Sequence, residues 1–283
     1  MMIIDSHTHL GRNDHIKGNA KQLLESMDSA KIDKALVFAG PMNDCPNEWL
    51  FEQVKPHRDR LFPVMAYEHP HWHDINMRKM VEEHKPVAIK FYTGYEHYYP
   101  LDLYHDDRMH PAGMFHNPLQ LCSEFNIPAI FHCGDCLNSV KEAKLKYAHP
   151  LNIDEAAVDY DDVTFIIAHM GYPWVRDTAE VCYKNKNVYT DISGFVYGEF
   201  SKDDVGKFGK TLQEFLDIAD SSKLLFGTDW PISNQRSYIE TLDYLANIAP
   251  TLKVSEIFSP HYMTQNTIKA FNLNVKSKGK NTR

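Results

Sequence analysis

Short apolar runs recur along the chain at residues 2–5, 34–38, 61–66, 87–91, 127–132, 163–169, 188–192 and 224–227. Unbroken runs such as IPAIF and TFIIA read as strands buried on both faces, the habit of a parallel sheet. Between them lie stretches with helical spacing of apolar positions, at 20–30, 48–54, 75–84, 118–125, 153–159, 175–184 and 210–219. Further helical patterns follow the last run at 238–248, 254–258 and 264–271. Strands alternating with helices build βαβ units. Eight such units predict an α/β fold closed into a (β/α)8 TIM barrel rather than an open sheet. No glycine-rich phosphate loop follows the first run, which points the same way.

One stretch breaks the rhythm. Residues 93–116, TGYEHYYPLDLYHDDRMHPAGMFH, are too long and too polar for an ordinary βα loop. Loops of that kind usually carry function. They read as a lid-like insertion within a single barrel domain spanning residues 1–273. The remaining residues, 274–283, carry Lys276, Lys278, Lys280 and Arg283 and read as a basic, flexible tail.

Composition narrows the partners. The 283 residues suit one barrel of this type. A net charge of -8 argues against nucleic acid, which requires a basic face. No apolar run is long enough to span a bilayer, and the first residues enter a strand without the basic and apolar regions of a leader. The expectation is a cytoplasmic protein that acts on a small molecule, with neither nucleic acid nor membrane as partner and a homo-oligomer left open. The five cysteines are dispersed and expected to be reduced, with Cys45, Cys122 and Cys182 serving packing. Cys133 and Cys136 form a CxxC, but outside a thioredoxin-like unit this reads as structural.

The chemistry lies at the strand ends. His7 and His9 follow MMIID, His132 follows IPAIF, His169 follows TFIIA, and Asp229 follows KLLFGT. Polar residues at the ends of buried strands need a reason, and a divalent metal is the most economical one. In a β/α barrel these ends share one face, which is where active sites sit. His7 and His9 are two apart on an extended segment, so both side chains point the same way. His132 would approach from across the barrel, and Asp229 from the eighth strand, a neighbour of the first. HxH alone is weak, because 16 histidines in 283 residues give about one such pair by chance. The chain also contains His69, His71 and His73 in EHPHWHD, which read as a solvated loop.

These pieces together resemble the amidohydrolase-related family, in the branch holding small metal-dependent hydrolases and the carboxymuconate-semialdehyde and resorcylate decarboxylases. The resemblance rests on IIDSHTHLG, AIKFYTGY, IPAIFHCGD, FIIAHMGYPW, YTDISG, FGTDWP and the closing TQNTIKAFNL, in that order. It implies metal ligands at His7, His9, His132 and Asp229. It also implies catalytic roles for Asp229 and for His169, the latter as a proton-moving or second-metal histidine. One divalent metal is implied, with zinc the first choice and manganese, iron or cobalt also suited to such ligands. The family's binuclear relatives carbamylate a lysine matching Lys90. The one-metal branch favours a charge or substrate-binding role for it. Asp191 reads as a brace for the site or as packing. Trp174 and Trp230 read as pocket walls or core, and Arg12, Arg176 and Arg236 as carboxylate clamps or surface charges.

The main functional reading is therefore a metal-dependent hydrolase that activates water against an amide, ester or lactone. The same site would also suit a non-oxidative carboxy-lyase acting on a small unsaturated or aromatic acid. A third reading, a barrel that binds a ligand without turnover, remains because fold alone does not give function.

Overall fold

Eight parallel strands follow one another around a single sheet in chain order. They are β1 (Ile4–His9), β2 (Lys34–Phe38), β3 (Leu61–Ala66), β4 (Ala88–Phe91), β5 (Ala129–Phe131), β6 (Phe165–Ile167), β7 (Val188–Asp191) and β8 (Leu224–Leu225). The structure is a computed structural model that describes residues 2–14, 16–40, 42, 44–67, 74–105, 117–248 and 259–275. The extended chain beyond β8 completes the ring against β1. Ser6 and His9 donate their N–H groups to the Phe226 and Trp230 carbonyls at 2.7 Å each, and Asp229 N–H donates to the His7 carbonyl at 2.8 Å. This is the expected (β/α)8 TIM barrel.

The helices of the outer layer are α1 (Ala20–Ala30), α2 (Asn47–Val54), α3 (Asp74–His84), α4 (Pro118–Phe125), α5 (Asn152–Asp159), α6 (Val175–Lys184), α7 (Lys202–Leu216), α8 (Gln235–Ile248) and α9 (Pro260–Ala270). Local sequence sets several starts. Asn19 caps α1 by accepting from Gln22 N–H, while the Gln22 side chain accepts from Asn19 N–H. Asn117 caps α4, where Pro118 fills the first position and needs no N–H partner. Helix α7 begins eight residues before the expected 210, because Gly206 and Gly209 hide the period there. Its buried residues Val205, Phe208, Leu212 and Phe215 nonetheless keep helical spacing.

Two apolar layers hold the barrel. The inner one contains Ile4, Leu36, Phe38, Val64, Ala88, Ile130, Ile166, Tyr189 and Leu225, with Ala270 of α9 and Phe271 just past it packed on it. The outer one joins the other strand faces to the helices, with residues such as Leu23, Met27, Val37, Leu50 and Phe215. The strand ladders are shorter than the apolar runs. β5 stops at Phe131 and β6 at Ile167, so His132 and His169 stand just past the hydrogen-bonded pairs. Of the unusual stretch at 93–116, residues Thr93–Glu96 and Asp102–His105 form two short helices. Residues 106–116, the histidines at 69–73, the segment 254–258 and the tail from 276 lie outside the described residues. Among the described residues no helix is long and apolar enough to cross a membrane.

Candidate functional site

The inner positions of the strands change character as they rise. Ala88 is followed two residues on by Lys90, Ile130 by His132, and Tyr189 by Asp191. A period of two keeps each pair on the same face, apolar below and polar above. β1 would break this rule, since His7 lies three positions after Ile4, an odd offset. It contains one extra residue: Asp5 pairs with Ala35, but Thr8 pairs with Val37. The bulge inverts the alternation. Ile4 thus joins the inner layer with Phe38, and the His7 ring also lies 4.3 Å from the Phe38 ring.

Three ligand-type atoms converge above that layer. The Nε2 atoms of His7 and His9 are 3.2 Å apart. Asp229 Oδ1 lies 3.7 Å from the first and 3.2 Å from the second. Asp229 reaches this place through a left-handed backbone, φ 69°. Gly227 makes the approach of the two chain segments feasible, since a Cβ there would come within 2.8 Å of His7 Cβ. Behind the cluster, Asp5 is fully buried and receives Thr228 N–H at 3.0 Å, Thr228 O–H at 2.6 Å, Gln235 Nε2–H at 2.8 Å and His7 N–H at 3.2 Å. Asp5 thereby ties β1 to the residues beside Asp229.

A second carboxylate organises the opposite side. Asp191 Oδ2 accepts from His7 Nδ1 at 2.9 Å. Its Oδ1 accepts from His169 N–H and Ser193 N–H, both at 3.1 Å, and from the Ser193 hydroxyl. Since His7 Nδ1 carries the donated proton, its Nε2 presents a bare lone pair to the cluster. His169 sits in a left-handed turn with Met170, φ 57° and 51°, and its ring lies 4.7 Å from His7 and 5.1 Å from His132. His7, His169 and Asp191 also bring ligand-type atoms within 4.8 Å of one another. With both Asp191 oxygens taken by donors, that group is a hydrogen-bond hub.

Electrostatics favour neutral imidazoles and ionised carboxylates. Burial lowers His7 to about 3, against the pull of Asp191, and lowers His9 as well. His132 is brought well below the ordinary range by burial and by the charges of His169 and Lys90. Burial alone would raise Asp229 and Asp191, but contacts with His9 and His7 respectively, together with the nearby His169, hold both below the usual carboxylate range. Lys90 is fully buried, with Nζ 5.1 Å from the Phe38 ring and 5.5 Å from Tyr92. Its Nζ has no hydrogen-bond partner among the described residues. Burial brings its ammonium down to about 8, opposed by Asp191 and Asp229.

The cluster opens into a cavity of about 570 Å³ whose wall includes His9, His132, His169 and Asp229. Aromatic side chains form much of the rest, among them Tyr92, Tyr95, Tyr172, Phe195 and Tyr197. Cys136 is on the wall, whereas Cys133 is buried, and both are free thiols. Several expected contacts fall elsewhere. Arg176 is exposed and is not among the described residues that line the cavity. Arg12 binds Asp44 at 2.9 Å and Arg236 binds Glu240 at 2.9 Å. The Trp230 ring packs over Gly18, where a Cβ would meet it at 2.6 Å, and the Trp174 ring lies tilted against His149 at 4.7 Å. Neither tryptophan is among the described cavity residues. His132 lies outside the converging set and donates Nε2–H to the Asp135 carbonyl at 3.0 Å, which leaves Nδ1 as its lone-pair nitrogen. Ser193 and the Asp5–Thr228–Gln235 group escaped the sequence reading. The D-x-S spacing in YTDISG was the available signal for Ser193, and no local pattern marks Gln235.

The set fits a cation. Asp229 Oδ1 is buried and has no hydrogen-bond donor aligned with it among the described residues. It faces one imidazole nitrogen already shown to be bare and a second beside it. With the His9 proton moved to its unpartnered Nδ1, all three atoms offer electron pairs at one point, a set suited to a divalent cation.

Comparison with known proteins agrees with this architecture. A probable 2-pyrone-4,6-dicarboxylic acid hydrolase from Acinetobacter baumannii superposes with a TM-score of 0.67 at 14% identity, covering 96% of this chain and 100% of that one. The 5-carboxyvanillate decarboxylase of Sphingomonas paucimobilis gives 0.64 at 10% identity, covering 96% and 99%. Protein fluG of Emericella nidulans is 26% identical over 160 residues, a match that covers 53% of this chain but only 18% of that protein. The sequence profile of the family described as amidohydrolase matches residues 4–273, from the first barrel strand past the last helix. The chain belongs to the amidohydrolase family, and it is an enzyme.

Proposed function

We propose that this enzyme is a hydrolase of small-molecule amides, esters or lactones. It holds one divalent metal between His7, His9 and Asp229, with His132 as the further ligand. The observation that carries this reading is the meeting of two imidazole nitrogens and a carboxylate oxygen free of hydrogen bonds at the edge of a cavity. Nitrogen and oxygen donors of this kind suit zinc first, and also manganese, iron or cobalt. Bound there, a divalent metal supplies Lewis acidity to an oxygen that gains negative charge. The protein supplies the rest. Asp229, held ionised, accepts a proton from water in the cavity. His169, on the cavity wall beside His132, moves a proton at the reacting group. Lys90, buried beneath, balances the charge of Asp191 and Asp229. The segment beginning at Thr93 contributes Tyr95 to the wall and acts as a lid.

The aromatic wall also suits a flat ring bearing a carboxylate, which supports a second reading as a carboxy-lyase with the same residues. A panel of lactones, esters, amides and ring carboxylic acids, run with zinc-loaded protein in heavy-oxygen water, separates the two. Hydrolysis puts the label into the product. Carbon dioxide release without label incorporation would overturn the hydrolase reading. His7→Ala and Asp229→Ala are expected to lose bound zinc while the far-ultraviolet circular dichroism of the barrel persists.

A further inference from the structure

We infer that Ser193 is a positioning residue that fixes the tautomer of His169, holding the proton on Nδ1 and leaving Nε2 bare. This deepens the reading above, on which it rests only for placing His169 at the reacting centre.

The argument is a count of protons. Asp191 is a carboxylate and can only accept. Ser193 Oγ lies within hydrogen-bond distance of Asp191 Oδ1, so the single hydroxyl hydrogen is spent there. The same oxygen is 2.8 Å from His169 Nδ1. With its hydrogen spent, Ser193 Oγ can only accept from that nitrogen, so Nδ1 carries a proton. A second contact points the same way. His169 Nδ1 is 3.4 Å from the Ser193 carbonyl, which is also only an acceptor. The hydroxyl cannot turn to serve another partner, because Ser193 is fully buried and its own N–H is bound to Asp191 at 3.1 Å.

The His169 backbone is anchored by the same carboxylate, through N–H to Asp191 Oδ1 at 3.1 Å. Asp191 therefore fixes the left-handed turn directly and the ring through Ser193. Its other oxygen takes His7 Nδ1–H at 2.9 Å. One carboxylate thus gives both histidines the same tautomer, His7 by direct contact and His169 through a hydroxyl. In its neutral state His169 is set to receive a proton at Nε2, not to give one.

The test is long-range proton–nitrogen correlation of the histidine rings in metal-free, nitrogen-labelled protein, above the ordinary histidine pKa of about 6.5. His169→Gln identifies the His169 signals. Wild-type protein is expected to show a pyrrole-type Nδ1 and a pyridine-type Nε2 for His169. Ser193→Ala is expected to bring in the Nε2–H form of His169 while His7 keeps its own, since the His7 partner is Asp191 itself. Ser193→Thr retains the hydroxyl and is expected to restore the wild-type pattern. A wild-type His169 protonated on Nε2 would overturn the inference without any variant. Unchanged His169 signals in Ser193→Ala would also overturn it. Because the readout needs neither metal nor substrate, its failure is distinct from failure of the hydrolase reading, which zinc binding and turnover report.

Discussion

Replacing Asp191 with asparagine keeps the shape of the side chain but removes its charge and one acceptor. The carboxylate now serves four donors, three on Oδ1 and one on Oδ2. An amide has one acceptor oxygen, and the three-donor side claims it. The amide nitrogen then faces His7 Nδ1, donor against donor. His7 escapes by moving its proton to Nε2, the nitrogen that otherwise points at His9 and Asp229. A hydrogen bond to a charged group is worth about 1.5–3 kcal/mol. At about 1.4 kcal/mol per factor of ten, zinc binding is expected to weaken about 10–100-fold, the usual effect of removing the outer partner of a ligating histidine. The assay is zinc competition with a chromophoric chelator, on a variant whose circular dichroism and thermal unfolding confirm a native barrel. A folded Asp191→Asn protein with a zinc Kd within about twofold of wild type would refute the reasoning, since that is under about 0.5 kcal/mol.

Other consequences are open to direct measurement. Thr228→Val is nearly isosteric but removes a 2.6 Å hydrogen bond to buried Asp5 and an acceptor for Trp230 N–H, so urea unfolding should show a loss of about 1.5–3 kcal/mol, and an unchanged midpoint would contradict the clamp. Arg176→Ala removes an exposed side chain away from the described cavity wall, so stability is expected to stay within about 0.5 kcal/mol and KM to be unchanged. A tenfold rise in KM would return Arg176 to the substrate site. Burial raises the Cys45, Cys133 and Cys182 thiols to about 12 and the partly exposed Cys136 to about 11. Native protein treated with iodoacetamide is therefore expected to be modified first at Cys136, faster as pH rises towards that value, and prior modification of Cys133 by peptide mass spectrometry would count against it.

The order of strands and helices was legible because burial is recorded residue by residue. Strands β2 and β3 and helices α1, α4 and α6 run over the expected residues. The strand ends were legible too, since a polar residue closing an apolar run marks the rim of a barrel. What the rim does with those residues was not. The spacing of His7 and His9 says they share a face, but the inward direction of that face depends on a bulge set by pairing with β2. Nothing in IIDSHTH announces the extra residue. The arginines and tryptophans near the strand-end motifs looked as suited to substrate as the histidines, because distance along the chain does not tell which side of a helix or loop meets the cavity. Arg176 is exposed and Trp230 packs on Gly18 for that reason.

By itself, then, the sequence determined the barrel, its strand order and the set of residues at its C-terminal rim, because each follows from local periodicity and from the way parallel βα units close. Only the tertiary structure decided which of those residues meet. His7 and Asp191 are 184 positions apart, and Thr228 and Asp5 are 223 apart. Their contacts exist because closure of the ring brings the chain beyond β8 against β1 and turns Asp191 inward. The left-handed backbone at His169 and Asp229 then aims side chains that a regular strand would have sent elsewhere. Such conformations are held by hydrogen bonds from distant partners, so no stretch of local sequence encodes them.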